Sequence, residues 1–399
     1  MLTISRALFG QAKARSAMVL NCGSSSVKYQ LFVDEASVLR GSIENIGLPS
    51  WIHKVNSKTT SQSLAVVDYP AAIKLAISSV LSVTSEVFCV GHRVVHGGPR
   101  LTDPTLITAD VLKEIRECSQ LAPLHNPSNV KGIELAQETL KGVPQVACFD
   151  TAFHAHMPSK AWRYAIPRDI ADSRNIRRYG FHGLSYSFIS SRVNHGRIIV
   201  AHLGSGCSIS AIIDGKSVDT SMGFTPMEGL VMSTRAGSVD PGLILHLARD
   251  FGGDFEKVSQ LLNKKSGLLG LSGFSADMKE LLRVEKDAND PRSISAHEAV
   301  EVFVYTVQKY IGQYMASLEF NVDAIVFTGG IGENSPEIRA RIMKPFAKVG
   351  SVIDPRLNKV TPEDGYISSP DSKIKLITIP TNEELQIARE AVRTASRYI

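Results

Sequence analysis

The chain has 399 residues, more than a single hydrophobic core ordinarily supports, so two domains or one duplicated fold is expected. Its formal net charge of +5 is spread over 44 basic and 39 acidic residues, with no Lys/Arg block interleaved with aromatics, which argues against a nucleic-acid groove. The five cysteines (Cys22, Cys89, Cys118, Cys148, Cys207) are widely spaced without a C-x-x-C pair, against a disulfide framework or zinc site and for a reducing compartment; no run of 18 apolar residues offers a membrane span.

Residues 1–17 contain Arg, Lys, Ser and Ala but no acid. They are read as a disordered extension or the product of an upstream start codon, with Met18 opening the first strand and the protein cytoplasmic. The alternative is a transit peptide and an organellar protein. Beyond them, short β-rich runs alternate with longer helical patterns, the mark of an α/β fold. Val19–Asn21, Val90–Val95, Gln145–Phe149, Arg197–His202, Ala324–Thr328 and Lys375–Pro380 read as strands. Ala296–Phe320 carries Val300, Phe303, Val304, Val307, Ile311, Met315 and Leu318 at helical spacing, and Glu383–Tyr398 reads as a final helix.

The segment VLNCGSSSVKYQLF from Val19 aligns with VAHLGSGCSISAII from Val200. Each is an apolar strand, a polar residue, a Gly/Ser turn and a second strand. A repeat near half the chain length suggests a duplicated domain. It predicts two lobes around a central cleft: an N-terminal lobe over 18–150, on which the helix 383–398 can pack back, and a C-terminal nucleotide-binding lobe over 151–382, the boundary falling between 150 and 195.

In the first turn, Asn21 to Lys28, small residues leave backbone N–H groups uncovered, and three serine hydroxyls plus an amide add donors for anionic oxygens. It is not a Walker A loop, because the G-K-[ST] ending is absent. The second turn, His202 to Gly206, repeats the design. A third glycine-rich turn, Thr328-Gly329-Gly330-Ile331-Gly332, follows a strand and leads to a helix capped by Asn334 or Ser335, with Glu337 completing a capping box. At the last helix, Thr381 and Glu384 also have capping-box spacing, so Glu384 can reach back to the Thr381 amide.

These segments resemble the acetate kinase family: Asn21–Lys28 and His202–Ala211, with Gly91–Gly98 (GHRVVHGG), Arg177–Gly183 (RRYGFHG), Phe224–Leu230 (FTPMEGL), Phe327–Ser335 (FTGGIGENS) and Thr381–Leu385 (TNEEL). The match runs in order from about residue 18 to the C-terminus. The resemblance implies the duplicated sugar-kinase/actin/Hsp70-type (ribonuclease H-like) fold, a homodimer, and reversible transfer of a phosphoryl group from ATP to acetate, giving acetyl phosphate and ADP. It assigns ATP to Asn21, Ser24, Ser26, Lys28, His202, Leu203, Gly204, Ser205, Gly206, Asp277, Met278, Lys279, Gly329, Gly330, Ile331, Gly332 and Asn334. Mg²⁺, or Mn²⁺ in its place, falls to Asn21 and Glu383, with Asp150 a further candidate or else an orienter of arginine.

For chemistry, Arg93 and Arg235 are the candidates to neutralise charge on the moving phosphoryl group and the substrate carboxylate, tasks suited to a planar, permanent cation. His182, between glycines in Tyr-Gly-Phe-His-Gly, is implied to hydrogen-bond the transferring phosphate. Asp150 ends a strand, a usual place for a ligand carboxylate. No general base is required, since a carboxylic acid is already ionised at neutral pH. Val95, Leu124 and Pro226 match the family's acyl pocket. Departures are Ala276-Asp277-Met278-Lys279 for the family's Ser-Asp-x-Arg at the adenosine site, Leu184-Ser185-Tyr186 after Gly183, and Ser238 for an Asp. The rival readings are a propionate or butyrate kinase and, more distantly, an actin/Hsp70-like ATPase module.

Overall fold

The computed structural model describes residues 15–48, 50–56, 58–61, 67–194, 196–360 and 365–398. They divide into two compact units. The first holds the described residues through Val94, Asp103–Cys148 and the C-terminal stretch from Glu384; the second holds Val95–Thr102 and Phe149–Glu383. Of the extension expected over residues 1–17, residues 1–14 lie outside the described residues. Ser16 and Ala17 are already strand, pairing with Val33 and Phe32, so the first strand opens two residues before Met18.

The first unit is built on eight strands: β1 (Ser16–Cys22), β2 (Ser26–Val33), β3 (Ala36–Glu44), β4 (Ile52–Val55), β5 (Lys58–Ser61), β6 (Cys89–Val94), β7 (Thr105–Leu106) and β8 (Gln145–Phe149). Their order is β5-β4-β3-β2-β1-β6-β8-β7. β1, β2 and β3 form an antiparallel meander, and β6 runs parallel to β1. The helix Glu383–Ala395 lies on this sheet through Ile387, Ala388, Ala391 and Ala395. Gly91 in β6 makes that approach feasible, for a Cβ there would stand 2.6 Å from Ile387 Cγ2.

The second unit has β9 (Arg197–Leu203), β10 (Cys207–Ile213), β11 (Lys216–Thr220), β12 (Ala324–Thr328) and β13 (Lys375–Thr378) in the order β11-β10-β9-β12-β13. β9 and β10 are an antiparallel hairpin, and β12 runs parallel to β9 and β13. This repeats the order β3-β2-β1-β6-β8 of the first unit, which is the duplicated fold expected from the sequence. β9 and β12 are buried almost throughout, as strands covered on both faces must be.

The long helix runs Ser293–Ser317 and buries Val300, Phe303, Val304, Val307, Ile311 and Met315. It stops short of Phe320 because Glu319 and Phe320 both take left-handed backbone conformations, with φ 56° and 58°. Among the described residues no helix is long and apolar enough to cross a membrane.

Candidate active site

In the second unit, β9 delivers His202 and Leu203 to the turn Gly204–Gly206, where the Gly204 N–H donates to the Gly206 carbonyl (3.1 Å). Alongside, β12 ends at Thr328 and the chain turns at Gly329 (φ +78°), where a Cβ would lie 2.8 Å from the Leu203 carbonyl oxygen. The glycines that follow are themselves a short helix, Gly329–Asn334, rather than an open turn. Glu333 holds this corner: its Oε1 accepts from the N–H groups of Gly329 (2.8 Å) and Thr381 (3.0 Å). Thus the Thr381 amide is taken by Glu333, while the Glu384 carboxylate faces Arg40 at 4.0 Å, so the capping box expected between Thr381 and Glu384 is not made. The next helix, Pro336–Met343, is capped by Ser335, which leaves Glu337 one position short of capping-box register. Glu337 pairs with Lys286 and Arg341 instead.

Beside these turns lies a cleft of about 850 Å³ within the second unit. Of the residues assigned to ATP, Gly204, Ser205, Asp277, Met278, Lys279, Gly330, Ile331 and Asn334 line it. Leu203, Gly329 and Gly332 are buried backbone support. Asp277 caps the helix Met278–Glu285, its Oδ1 accepting from the Lys279 N–H at 3.0 Å. Sequence reasoning missed Ser233, Leu282, Arg283 and Lys286, which also line the cleft. The last three lie three, four and seven residues beyond Lys279, the spacing of one helical face, so continuing the helix would have found them.

A second constellation surrounds Gly206. His182 caps the helix Gly183–Ser190 with a left-handed backbone (φ 56°). Gly183 is in close contact with the strand end at Asp150: its N–H donates to the Asp150 carbonyl (2.9 Å), and a Cβ would lie 2.3 Å from that oxygen. The His182 ring stacks on His202, centroids 4.3 Å apart, and its Nδ1 hydrogen-bonds Ser208 Oγ at 2.9 Å. Tyr186 OH also meets Ser208 Oγ, and His202 Nδ1 meets Ser185 Oγ at 2.9 Å. A Cβ on Gly206 would stand 3.3 Å from His182 Nε2 and 4.0 Å from Arg235 Nη1, so both side chains border that glycine. Arg235 Nη1 donates to the Pro226 carbonyl at 2.9 Å. Val95 packs half-buried against this unit's core. Behind the turn, burial pushes the Cys207 thiol up to about 12, which leaves it inert.

In the first unit, the Gly23 N–H closes the turn onto the Ser26 carbonyl (2.8 Å), and Tyr69 OH donates to the Gly23 carbonyl (2.9 Å). Ser24 is exposed, Asn21 and Ser26 half-buried. Lys28 is exposed on β2 and lines a separate hollow of about 360 Å³ with Arg40, Lys54 and Glu384. Arg93 lies within β6 itself, half-buried, next to His92, whose Nε2 meets Gln145 Oε1 at 2.7 Å. Leu124 is 53% exposed, so it is no core residue.

Among the described residues no three His, Cys, Asp or Glu side chains gather as a metal cage. Magnesium serving a nucleotide asks for less, one or two carboxylates besides phosphates and water. Asp150 and Glu383 are the two carboxylates assigned to that task. The segments carrying Asp150 and Glu383 are both tied to the first turn of the helix Gly183–Ser190, through the Asp150 carbonyl and through Thr381 Oγ1, 2.8 Å from Ser185 Oγ.

Comparison with known proteins matches residues 16–389 to the acetokinase family. The chain is 43% identical over 396 residues to the acetate kinase of Geobacillus kaustophilus (strain HTA426), covering 95% of this chain and 99% of that one. It is 42% identical over 395 residues to that of Bacillus subtilis (strain 168), with the same coverage. A solved propionate kinase from Francisella tularensis superposes with a TM-score of 0.88 at 40% identity, covering 95% of this chain and 99% of that one. The acetate kinase of Porphyromonas gingivalis does so with a TM-score of 0.86 at 39% identity, covering 96% and 100%. With family match, relatives and fold in agreement along nearly its whole length, this chain belongs to the acetokinase family.

Proposed function

We propose that the protein is an acetate kinase, transferring the γ-phosphoryl group of ATP to acetate in a reversible reaction. The observation that carries this reading is the arrangement at Gly206: the His182 ring and the Arg235 guanidinium border one glycine of a turn whose neighbours Gly204 and Ser205 line the nucleotide-sized cleft. A carboxylate oxygen attacks the γ-phosphorus as the bond to the β-bridging oxygen breaks and ADP leaves. The acceptor needs no deprotonation, so the protein's work is positioning and charge stabilisation. Arg235, its guanidinium fixed by the Pro226 carbonyl, meets charge on the equatorial oxygens, and His182, fixed through Ser208, offers them Nε2. By the family resemblance, Arg93 is assigned to the acceptor carboxylate, and Val95, Leu124 and Pro226 to the acyl chain. Asn21 and Glu383 are the residues that would hold a magnesium ion brought by the nucleotide, with Asp150 a further ligand or else an orienter of arginine; the ion would supply neutralisation of phosphate charge.

The rival reading, a propionate or butyrate kinase of the same fold, is not favoured by the relatives, which are acetate kinases at 42–43% identity. Trapping the acyl phosphate with hydroxylamine across two- to four-carbon acids decides between them. Hydroxamate formed fastest from acetate is the expected result, and ATP turnover indifferent to any carboxylate would overturn both. The active form is a homodimer, as the family resemblance implies; a sedimentation measurement that finds only monomer in the active enzyme overturns this. All five cysteines are buried thiols outside any disulfide, in keeping with a reducing compartment.

A further inference from the structure

The loop from Phe224 to Ser238 carries Pro226 and Arg235, and an ionic cluster outside the cleft holds its base. Glu228, in the middle of the FTPMEGL segment, accepts from Tyr164 OH with one carboxylate oxygen and from Arg178 Nη2 with the other. Arg178 Nη1 in turn donates to three successive carbonyls at the end of β11, those of Thr220 (3.2 Å), Ser221 (3.0 Å) and Met222 (3.1 Å). Tyr164 Oη also accepts from the Phe224 N–H at 2.9 Å, and the Arg178 guanidinium lies 5.5 Å from the Tyr164 ring centroid. The fit is tight: a Cβ on Gly223 would stand 1.7 Å from Glu228 Oε2 and 2.2 Å from Tyr164 Oη. The Arg178 and Glu228 side chains are 17% and 32% exposed. A pair this sheltered gives back in attraction about what desolvation takes, so stability alone does not account for it.

We infer that Glu228, clamped by Arg178 and Tyr164, is a positioning residue for Arg235. The clamp fixes the loop two residues after Pro226, and the Pro226 carbonyl is what Arg235 Nη1 donates to. Orientation thus passes from the sheet, through Arg178 and Glu228, to the guanidinium at Gly206. The inference rests on the role given above to Arg235. A loop displaced by about 1 Å can cost up to about 10²-fold in rate without loss of binding.

The test measures kcat and KM for ATP and acetate in Glu228→Gln, Tyr164→Phe and Arg235→Ala, and in Glu228→Gln and Tyr164→Phe combined with Arg235→Ala. Expected is a fall in kcat of about 10-fold or more in each clamp variant, with a KM for ATP that moves far less. On the Arg235→Ala background, neither clamp substitution lowers kcat beyond twofold, because the group they position is gone. A clamp effect that multiplies in full with Arg235→Ala overturns the inference, as does a folded Glu228→Gln enzyme with wild-type kcat. Should Glu228→Gln fail to fold, Tyr164→Phe, which keeps the Arg178–Glu228 pair, decides by the same two criteria. A near-normal kcat in Arg235→Ala alone refutes instead the underlying role of Arg235.

Discussion

In the first unit the hairpin passes from Cys22 to its partner Val27 through the four residues Gly23–Ser26; in the second it passes from Leu203 to Cys207 through the three residues Gly204–Gly206. The outgoing strands correspond residue for residue, Asn21 with His202, but the return strands do not. Ungapped alignment sets Lys28 against Ile209, whereas the registers set Lys28 opposite Asn21 and Ser208 opposite His202. One residue of slip exchanges the faces of a strand. The structural counterpart of the exposed Lys28 is therefore the buried Ser208, which holds His182 in place. The backbone device is shared, then, while the first return strand offers a charge and the second a support for an imidazole.

The largest expected effect tests whether both halves of this pairing serve one reaction. Arg93 stands on β6, the parallel neighbour of β1, and Arg235 borders Gly206 in the other turn. Arg93→Ala and Arg235→Ala should each lower kcat by at least roughly 10²-fold, the usual consequence of losing one preorganised electrostatic contact. Steady-state kinetics checks this. Near-normal turnover in one variant would restrict the chemistry to the other arginine.

Next in size is a contrast between the turns themselves. A methyl at Gly206 presses within 3.3 Å of the His182 ring, which is pinned by its stack on His202 and its bond to Ser208. A methyl at Gly23 meets the Ser26 hydroxyl at 3.0 Å, which can rotate away, and the Ser26 carbonyl at an ordinary 3.6 Å. Gly206→Ala should therefore cost about 10-fold or more in kcat, in line with the rate penalty of misplacing a catalytic group, and Gly23→Ala much less. Equal losses in kcat assays of the two variants would mean that the turns act alike despite their different lengths.

Much of this was legible in the sequence, and the failures have physical causes. The strands, the repeat and the glycine turns announce themselves through apolar runs and small residues. Turn length does not: Ser25 and Gly206 both pass as turn formers, and only hydrogen-bond register reveals the missing residue. The capping boxes read at Thr381 and Asn334 failed because Glu333, distant in sequence from the first, and a one-residue shift of the cap to Ser335 took those roles. Likewise Glu228 could be placed in a motif, but its partners Tyr164 and Arg178 lie 64 and 50 residues away.

A smaller effect concerns stability, and here the units should behave alike. Burial pushes the pKa of His92 in the first unit and of His154 in the second down to about 4. The His154 proton sits on Nε2, which donates to the Phe181 carbonyl (3.0 Å), while Nδ1 accepts from Ser217 OH (2.7 Å). Unfolded histidine titrates near ~6.5, so between that pH and about 4 the unfolded chain binds the extra protons. The stabilisation is complete above ~6.5 and is lost as pH falls toward 4. Thermal melts at pH 7, 5.5 and 4.5 should show Tm falling steadily, with a shallower fall in His154→Gln and in His92→Gln. A slope unchanged in one variant would remove that histidine from the account.

The smallest effect belongs to what stands beside each hairpin: a hollow of about 360 Å³ by β2, against a cleft of about 850 Å³ by the second turn. The latter is nucleotide-sized, and the helix Met278–Glu285 lines it. There Lys279 stands where the family pattern has arginine, exposed and with its amide tied to Asp277. A flexible ammonium cannot lie flat on a purine as a guanidinium can. Arg283, one turn further along the same face, lines the same cleft and brings a planar cation to it. Both positions lie on this helix and not in the glycine turns, so their substitution should act on nucleotide binding more than on turnover. Lys279→Arg should tighten ATP binding by about 0.5–2 kcal/mol, the range of a cation–π contact, and Arg283→Ala should weaken it comparably. The wild type should also tolerate GTP or ITP. KM for ATP and GTP in the three proteins tests this. If neither value moves beyond twofold in Lys279→Arg while Arg283→Ala loses ATP, the base lies against Arg283. If neither substitution matters, the helix face is solvent and backbone alone holds the base.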